Sequence, residues 1–391
     1  MKKYELLAPA GDFPSLRAAV DAGADAVYFG LKDFNMRDTA KNFSIADLKK
    51  INKITGKKVK KYLTLNTIIF DDEIKRIESI IKKVKGKVDA IICWDLSVIM
   101  LCRKYKIPFH ISTQASVSNS DAAKFYKQIG AERIVLAREL NLRQIKKISK
   151  ILPIEIFAHG AMCVSVSGRC FTSQFLRCRS ANRGQCTHPC RRAYSIRDEE
   201  GNELKLENNR VMSAKDLCTL PFIEQMKKAG VAAFKIEGRN RNPDYVSTLT
   251  RIYREAIDEE LTKERAQTLL EELKRVYNRG FSGGFYLGGP TPDDFSSSED
   301  GEQKETKKII GRVEKYWPKI SVAAIKLFAG EVKIGDEIFI IGDQTGLKRA
   351  RVETMQINHN PVIEATKGQE VGIKVPECKK GDSVYLISKK N

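Results

Sequence analysis

No run of the 391 residues is apolar for long enough to cross a membrane, and the opening MKKYELLAPAGDF lacks a signal-peptide core. The protein is therefore expected in the cytoplasm, with no membrane partner. Also missing are the phosphate-cradling GxxxxGK(S/T), the HExxH zinc helix and the GxSxG nucleophile elbow. Without them a nucleotide-driven motor or a common hydrolase has no visible machinery, since a protease needs an activated nucleophile or a metal-bound water. Acidic residues are scarce relative to basic ones, 49 against 69, leaving a formal net charge of +20. Such an excess favours polyanionic partners, nucleic acid above all, over a surface that is merely solvated. Between residues 160 and 192 there is no acid at all, and six arginines stand where the rest of the chain prefers lysine. Guanidinium forks suit phosphate and carboxylate, although they could also balance a thiolate cluster.

Cysteine, in contrast, is plentiful at nine residues. In a cytoplasmic protein these read as metal ligands or reduced thiols, not as a disulfide frame. Four of them, Cys163, Cys170, Cys186 and Cys190, follow the pattern C-x6-C-x15-C-x3-C. Four soft thiolates from one loop satisfy an iron–sulfur cluster or a tetrahedral zinc. Structural zinc sites usually draw on two short knuckles, and only Cys186 and Cys190 are that close, so the spacing favours a cluster; zinc and plain buried thiols are the alternatives. Cys178 falls outside the pattern and reads as a spare thiol.

With 42% hydrophobic and 30% charged residues, the chain is long enough for two domains. Short β-like runs alternate with amphipathic helical segments. The proposed strands are Glu5–Ala8, Ala26–Phe29, Tyr62–Asn66, Ala90–Cys93, Phe109–Ser112, Arg133–Leu136, Ile154–Phe157 and Ala232–Ile236. Eight such units predict a closed (β/α)8 barrel of the TIM type, an α/β fold, over residues 1–289. The cysteine-rich loop is an insertion over about 160–212 that includes a hairpin of Ala193–Ile196 and Leu204–Leu206 turning at Glu200–Gly201–Asn202. Helix is expected from Asp216, with Cys218 packed inside it. Residues 290–307 read as a polar linker, and 308–391 as a small antiparallel β-barrel.

Barrel enzymes keep their chemistry where strands end at the C-terminal face. The residues placed there are Asn66, Asp95, Thr113, Gln114, Arg138, Glu139, His159, Glu237 and Arg239. Singly each has a plainer reading as a cap, a local ion pair or a core histidine; their common position distinguishes them.

The runs ELLAPAGDFPSLRAAVDAGADAVYFG, HISTQASVSN, AREL, FAHGAMCVSVSGRCFTS and KIEGR resemble the collagenase-like peptidase family numbered thirty-two among peptidases of unknown catalytic type. Despite its name, that family includes oxygen-independent hydroxylases acting on tRNA wobble uridine, ribosomal cytidine and ubiquinone. The resemblance implies a four-iron four-sulfur cluster on Cys163, Cys170, Cys186 and Cys190, and prephenate as the oxygen-donating co-substrate. The C-terminal tail is similar to the second domain of translational GTPases, which turns the expectation toward RNA, tRNA foremost. Arg138, Arg169, Arg183 and Arg239 are then expected to clamp a small anionic co-substrate or phosphates, with Gln114 and Asn66 beside them. His159, Glu139 and Glu237 are the expected proton handlers. A peptidase and a non-enzymatic RNA-binding accessory are the alternatives. The nucleotide modified, the oligomeric state and the need for a partner subunit are left open by the sequence.

Overall fold

The computed structural model of the protein describes residues 4–204, 212–298 and 301–390. Seven parallel strands run in order around a barrel: β1 (Glu5–Pro9), β2 (Ala26–Gly30), β3 (Lys60–Thr64), β4 (Ala90–Cys93), β5 (Phe109–Ile111), β6 (Arg133–Val135) and β7 (Ile154–Ala161). An eighth, Ala233–Ile236, lies between β7 and β1, parallel to both, and closes it. The expected α/β barrel is thus present. Helices follow the strands because Pro, Asp and Asn punctuate the chain where each helix starts. Asp12 caps α1 (Phe13–Asp21), Asp95 caps α4 (Leu96–Tyr105) and Asn119 caps α5 (Ser120–Gln128), each through its side chain.

Two-residue alternation sorts the strand side chains. Leu6, Val27, Leu63, Ile91 and Phe234 pack outward under the helices, while Leu7, Ala26, Tyr28, Tyr62, Ala90 and Ile92 form a separate inner cluster. The inside is also charged. Glu155, wholly buried, accepts from Lys235 at 2.8 Å and lies 3.4 Å from Arg133, which reaches Glu5 at 2.5 Å. An ion-paired network therefore fills the barrel beneath its mouth.

β7 outruns its expected end at Phe157 and protrudes past the rim. Its last residues pair antiparallel with Asp216–Cys218. Those three residues are strand, not the expected helix, because a free strand edge is waiting for them. Cys218 is buried there, as expected, but on the sheet. The cysteine insertion leaves from the end of β7, and its hairpin forms between Ile196–Arg197 and Glu203–Leu204 around Asp198 and Gly201. The expected second strand of that hairpin runs on to Leu206, outside the described residues.

Part of the expected linker is bound rather than free. Ser296 N–H donates to Ser213 O at 2.7 Å, and Lys215 N–H donates to Asp294 O at 2.8 Å. The C-terminal module already begins at Glu305, where an eight-stranded antiparallel sheet and a two-stranded ribbon surround their own core of Ile310, Val313, Ile325, Ile340 and Val371. It leans on α1, where the Arg17 guanidinium donates to Asp343 O at 2.9 Å.

Candidate active site

The loop between β2 and α2 (Leu48–Thr55) folds over the mouth and is held by its own amides. Asn35 Oδ1 accepts from Arg37 N–H at 3.0 Å, and Asn42 Nδ2 donates to Arg37 O at 2.9 Å. This aims Arg37 at Glu237, with Nη2 2.9 Å and Nε 3.1 Å from Oε1. Burial alone would raise the Glu237 pKa, but Arg37, Arg138 and Arg241 outweigh it and hold the carboxyl at about 2. Glu237 is therefore a fixed anion. Arg239 is buried on neutral partners: it donates to Thr64 Oγ1 at 2.8 Å and its guanidinium sits 5.8 Å from the Tyr28 ring centre. Burial pushes its pKa down to about 10. Arg138 donates to Ala161 O at 2.9 Å and stacks 3.9 Å from the Phe157 ring centre. Among the described residues neither Arg138 nor Arg239 has a carboxylate within ion-pair distance.

Asn66 and Gln114 complete this wall. Asn66 Nδ2 donates to Gln114 Oε1 at 3.2 Å, the Ser112 hydroxyl donates to the same oxygen at 2.5 Å, and Asn66 Oδ1 accepts from Met36 N–H at 3.2 Å. Together with Tyr28, Thr64 and Lys235 these side chains enclose a cavity of about 60 Å³ at the C-terminal end of the strands.

A second cavity, of about 90 Å³, adjoins it, and Cys163, Cys170, Cys186 and Cys190 all line it. Arg37, Thr113, Gln114 and Arg138 line both cavities, so thiols and cations share a wall. The sulfurs carry donors: Ser165 N–H reaches Cys163 Sγ and Thr172 N–H reaches Cys170 Sγ, each at 3.4 Å, and the Ser173 hydroxyl lies 3.9 Å from Cys186 Sγ. Burial would raise the Cys170 pKa, but the Ser165 and Thr172 contacts bring it below the ordinary value. Cys190 is pushed up by burial and by the other three thiols, against the pull of Arg191. No carboxylate lines this cavity among the described residues. Nor, among those residues, do any three His, Cys, Asp or Glu side chains close around a point as they would on a single bound ion.

The insertion is fastened at its rim. Arg183 grips both carboxylate oxygens of Glu73, at 2.8 Å on one of them, and faces the Phe70 ring at 4.9 Å. Gly184 has φ +89°, and a Cβ there would lie 2.2 Å from Asn35 O, so only glycine lets the insertion lie this close to the mouth loop. Arg191 donates to Ala214 O at 2.7 Å and to Met162 O.

Apart from Thr113, the other expected residues stand elsewhere. His159 lies outside both cavities, among Tyr245, Tyr253 and Phe281, with Nδ1 3.2 Å from Tyr253 Oη; burial pushes its pKa down to about 3. Glu139 accepts from Ser167 N–H at 2.9 Å and supports the insertion from behind. Arg169 is exposed and donates to Ser116 Oγ at 3.0 Å, and Arg183 serves as a clip. Asp95 caps α4, and Thr113 donates to Leu136 O at 3.1 Å while lining the cavities. Arg37, Tyr28, Lys235 and Arg191 were not expected in the site. Lys235 had a visible signal, a charge in the middle of the apolar run AAFKI.

A family model described as Peptidase family U32 matches residues 11–295. A protein named collagenase from Porphyromonas gingivalis is 40% identical over 99% of this chain and 98% of its own length. A protein named tRNA hydroxylation protein P1, from Bacillus subtilis, is 33% identical over 94% of this chain and 90% of its own. The 23S rRNA 5-hydroxycytidine synthase of Escherichia coli is 40% identical over 66% of this chain and 39% of its own. No helix among the described residues is long and apolar enough to cross a membrane.

Proposed function

Because the chain belongs to peptidase family U32, we propose that it is an RNA-modifying enzyme of that family which hydroxylates a pyrimidine, tRNA being the expected substrate. Cys163, Cys170, Cys186 and Cys190 are assigned to a four-iron four-sulfur cluster, and a small dicarboxylate such as prephenate is the proposed oxygen donor. The observation that carries this reading is the shared wall, which sets four thiols and the cations Arg37 and Arg138 around adjoining cavities. Thiols ranged round a cavity, with amide and hydroxyl donors on their sulfurs, suit a multi-atom cluster better than one zinc held at about 2.3 Å by each ligand. When bound, such a cluster supplies one-electron chemistry beside the mouth.

The protein's own groups then have defined tasks. Arg138 and Arg239, seated on neutral acceptors, are free to bind the two carboxylates of the donor. Arg37, fixed by Glu237, roofs the pocket. Asn66 holds Gln114 by its Oε1, and Gln114 offers its Nε2 to the Watson–Crick edge of a base turned out of its stack into the mouth. Burial around Tyr28 and Phe157 keeps water from the reacting atoms.

The names of the collagenase relatives favour a hydrolase as the second reading. Against it, Glu237 is the carboxylate of the mouth and is held near 2, far too weak a base to activate water at neutral pH. Nucleoside mass spectrometry of tRNA and rRNA from a strain lacking the gene tests the choice. Loss of one hydroxylated pyrimidine, restored by the wild-type gene and not by Cys186→Ala, is expected. An unchanged nucleoside profile, with denatured collagen cleaved by both wild type and Cys186→Ala, would establish the peptidase instead.

A further inference from the structure

The site leaves the outer face of one insertion helix without a task. Helix α7 (Thr172–Arg177) turns Thr172 and Ser173 into the thiol cavity. On its other side Phe171 and Phe175 are 64% and 80% exposed, and Leu176 beside them is 54% exposed. The two rings lie 6.1 Å apart at 32° to each other, so they present one nearly continuous aromatic surface. Keeping such a surface in water costs free energy, and a monomer rarely keeps one without a use.

Charge decides what it fits. Arg169 precedes the two rings in sequence and Arg177 and Arg179 follow them, and residues 160–192 contain no acid. Among the described residues Arg177, Arg179 and Arg192 have no carboxylate partner. Next to the rings, Leu176, Arg177, Thr187, Pro189, Arg192 and Tyr194 line a cleft of about 370 Å³, a volume suited to a small ligand or a nucleotide. Aromatic residues and arginine occur together in protein-binding patches too, so the deciding feature is the lack of any acid across residues 160–192 in a chain of net charge +20, which favours a polyanion. Exposed rings flanked by guanidiniums with no acid nearby in sequence match single-stranded nucleic acid, whose bases stack on aromatics while cations follow the phosphates.

We propose that the outer face of α7 is a stacking platform for the unpaired RNA bases that flank the nucleotide in the mouth. Phe171 and Phe175 carry bases, and Arg177 and Arg192 hold the connecting phosphates in the cleft. The platform rests on the RNA-modifying reading, and it adds a requirement for an unpaired loop that the mouth alone does not impose.

Anisotropy of a labelled RNA hairpin with an unpaired loop, compared with fully paired RNA of equal length, tests it on the full chain at one fixed salt concentration. Wild type is expected to prefer the loop. Phe171→Ala/Phe175→Ala should weaken loop binding by about tenfold or more, the equivalent of one stacked base, while duplex binding stays the same. Phe171→Tyr/Phe175→Tyr should restore it, which a misfolded helix would not. Arg177→Gln/Arg192→Gln should make loop binding less salt-dependent, by roughly two phosphate contacts. If the double alanine binds the loop as wild type does and still hydroxylates RNA, the platform is refuted and the proposed function stands. If wild type neither binds nor modifies RNA, both fall. If the double alanine turns a dimer into a monomer in sedimentation velocity while RNA binding persists, the patch joins copies of the chain and the platform is refuted.

Discussion

Replacing Glu237 with glutamine removes the anion that fixes Arg37 and leaves the shape almost unchanged. In the folded protein burial would raise the carboxyl pKa, yet Arg37, Arg138 and Arg241 bring it from the ordinary 4.5 to about 2. At about 1.36 kcal/mol per pH unit, that interval corresponds to roughly 3 kcal/mol of stabilisation at neutral pH. The folded state holds the proton less tightly than the unfolded chain, so the contribution is complete above 4.5 and is lost as the pH falls toward about 2. Arg37 keeps 28% of its side chain in water, which trims the full figure. Urea unfolding of wild type and Glu237→Gln should therefore differ by about 2 to 3 kcal/mol from about pH 7.5 down to about pH 5.5. By about pH 3.5 the gap should have narrowed by about 1.4 kcal/mol. A gap that stays constant through that range, or one under about 1 kcal/mol at neutral pH, would refute the assignment of Glu237 as a fixed counter-ion.

Further perturbations probe the layers around it. Glu155→Ala strands Lys235 inside the barrel, leaves Arg133 with Glu5 alone, and should cost about 3 to 5 kcal/mol in urea unfolding, whereas Glu155→Leu/Lys235→Met should recover most of that. A single substitution costing under about 1 kcal/mol would show that water reaches the network. Arg183→Ala unclips the insertion from Glu73, so hydrogen exchange across residues 163–190 should quicken by about tenfold while the barrel strands hold their protection. Equal exchange in both proteins would mean the clip is dispensable. After anaerobic reconstitution, Cys186→Ala should lose the brown charge-transfer absorption and most of its iron. The exposed Cys178→Ala should match wild type, and loss of iron there would displace the proposed ligand set.

The barrel was legible because each strand is a short apolar run between turn residues, and all eight expected strands lie within a few residues of the observed ones. The mouth was legible in part, because position after a strand is a local property. Arg37 was not, for it sits in an aperiodic loop, 200 positions from the carboxylate that fixes it. His159 shows how one local irregularity redirects a side chain. Lys235 pairs with Phe157 and Ile236 with His159, so Ala158 is an extra residue at a β-bulge. The bulge flips the alternation, and His159 takes the side of Ile236, away from the cavity. No window of sequence reveals that bulge. Cys218 was misread for a related reason: three residues carry too little pattern to overrule a helix-like neighbourhood, and the edge of β7 that recruits them lies over fifty positions earlier.

The balance of charge at the mouth bears on what it binds. Lys235 is matched by Glu155 below and Arg37 by Glu237 beside it, which among the described residues leaves Arg138 and Arg239 bonded to carbonyl, hydroxyl and ring partners. A guanidinium in such a seat is under-compensated, and burial pushes the Arg239 pKa down to about 10. An anion entering the pocket restores that missing partner, so part of its affinity comes from relieving a cost the empty mouth already carries. Two such cations lining one cavity match a ligand with two negative groups better than one with a single carboxylate. A neutral ligand of the same shape would leave both guanidiniums buried and unmatched. On the proposed reading the mouth would select by charge number before shape, a condition the proposed dicarboxylate donor meets and a neutral peptide bond does not.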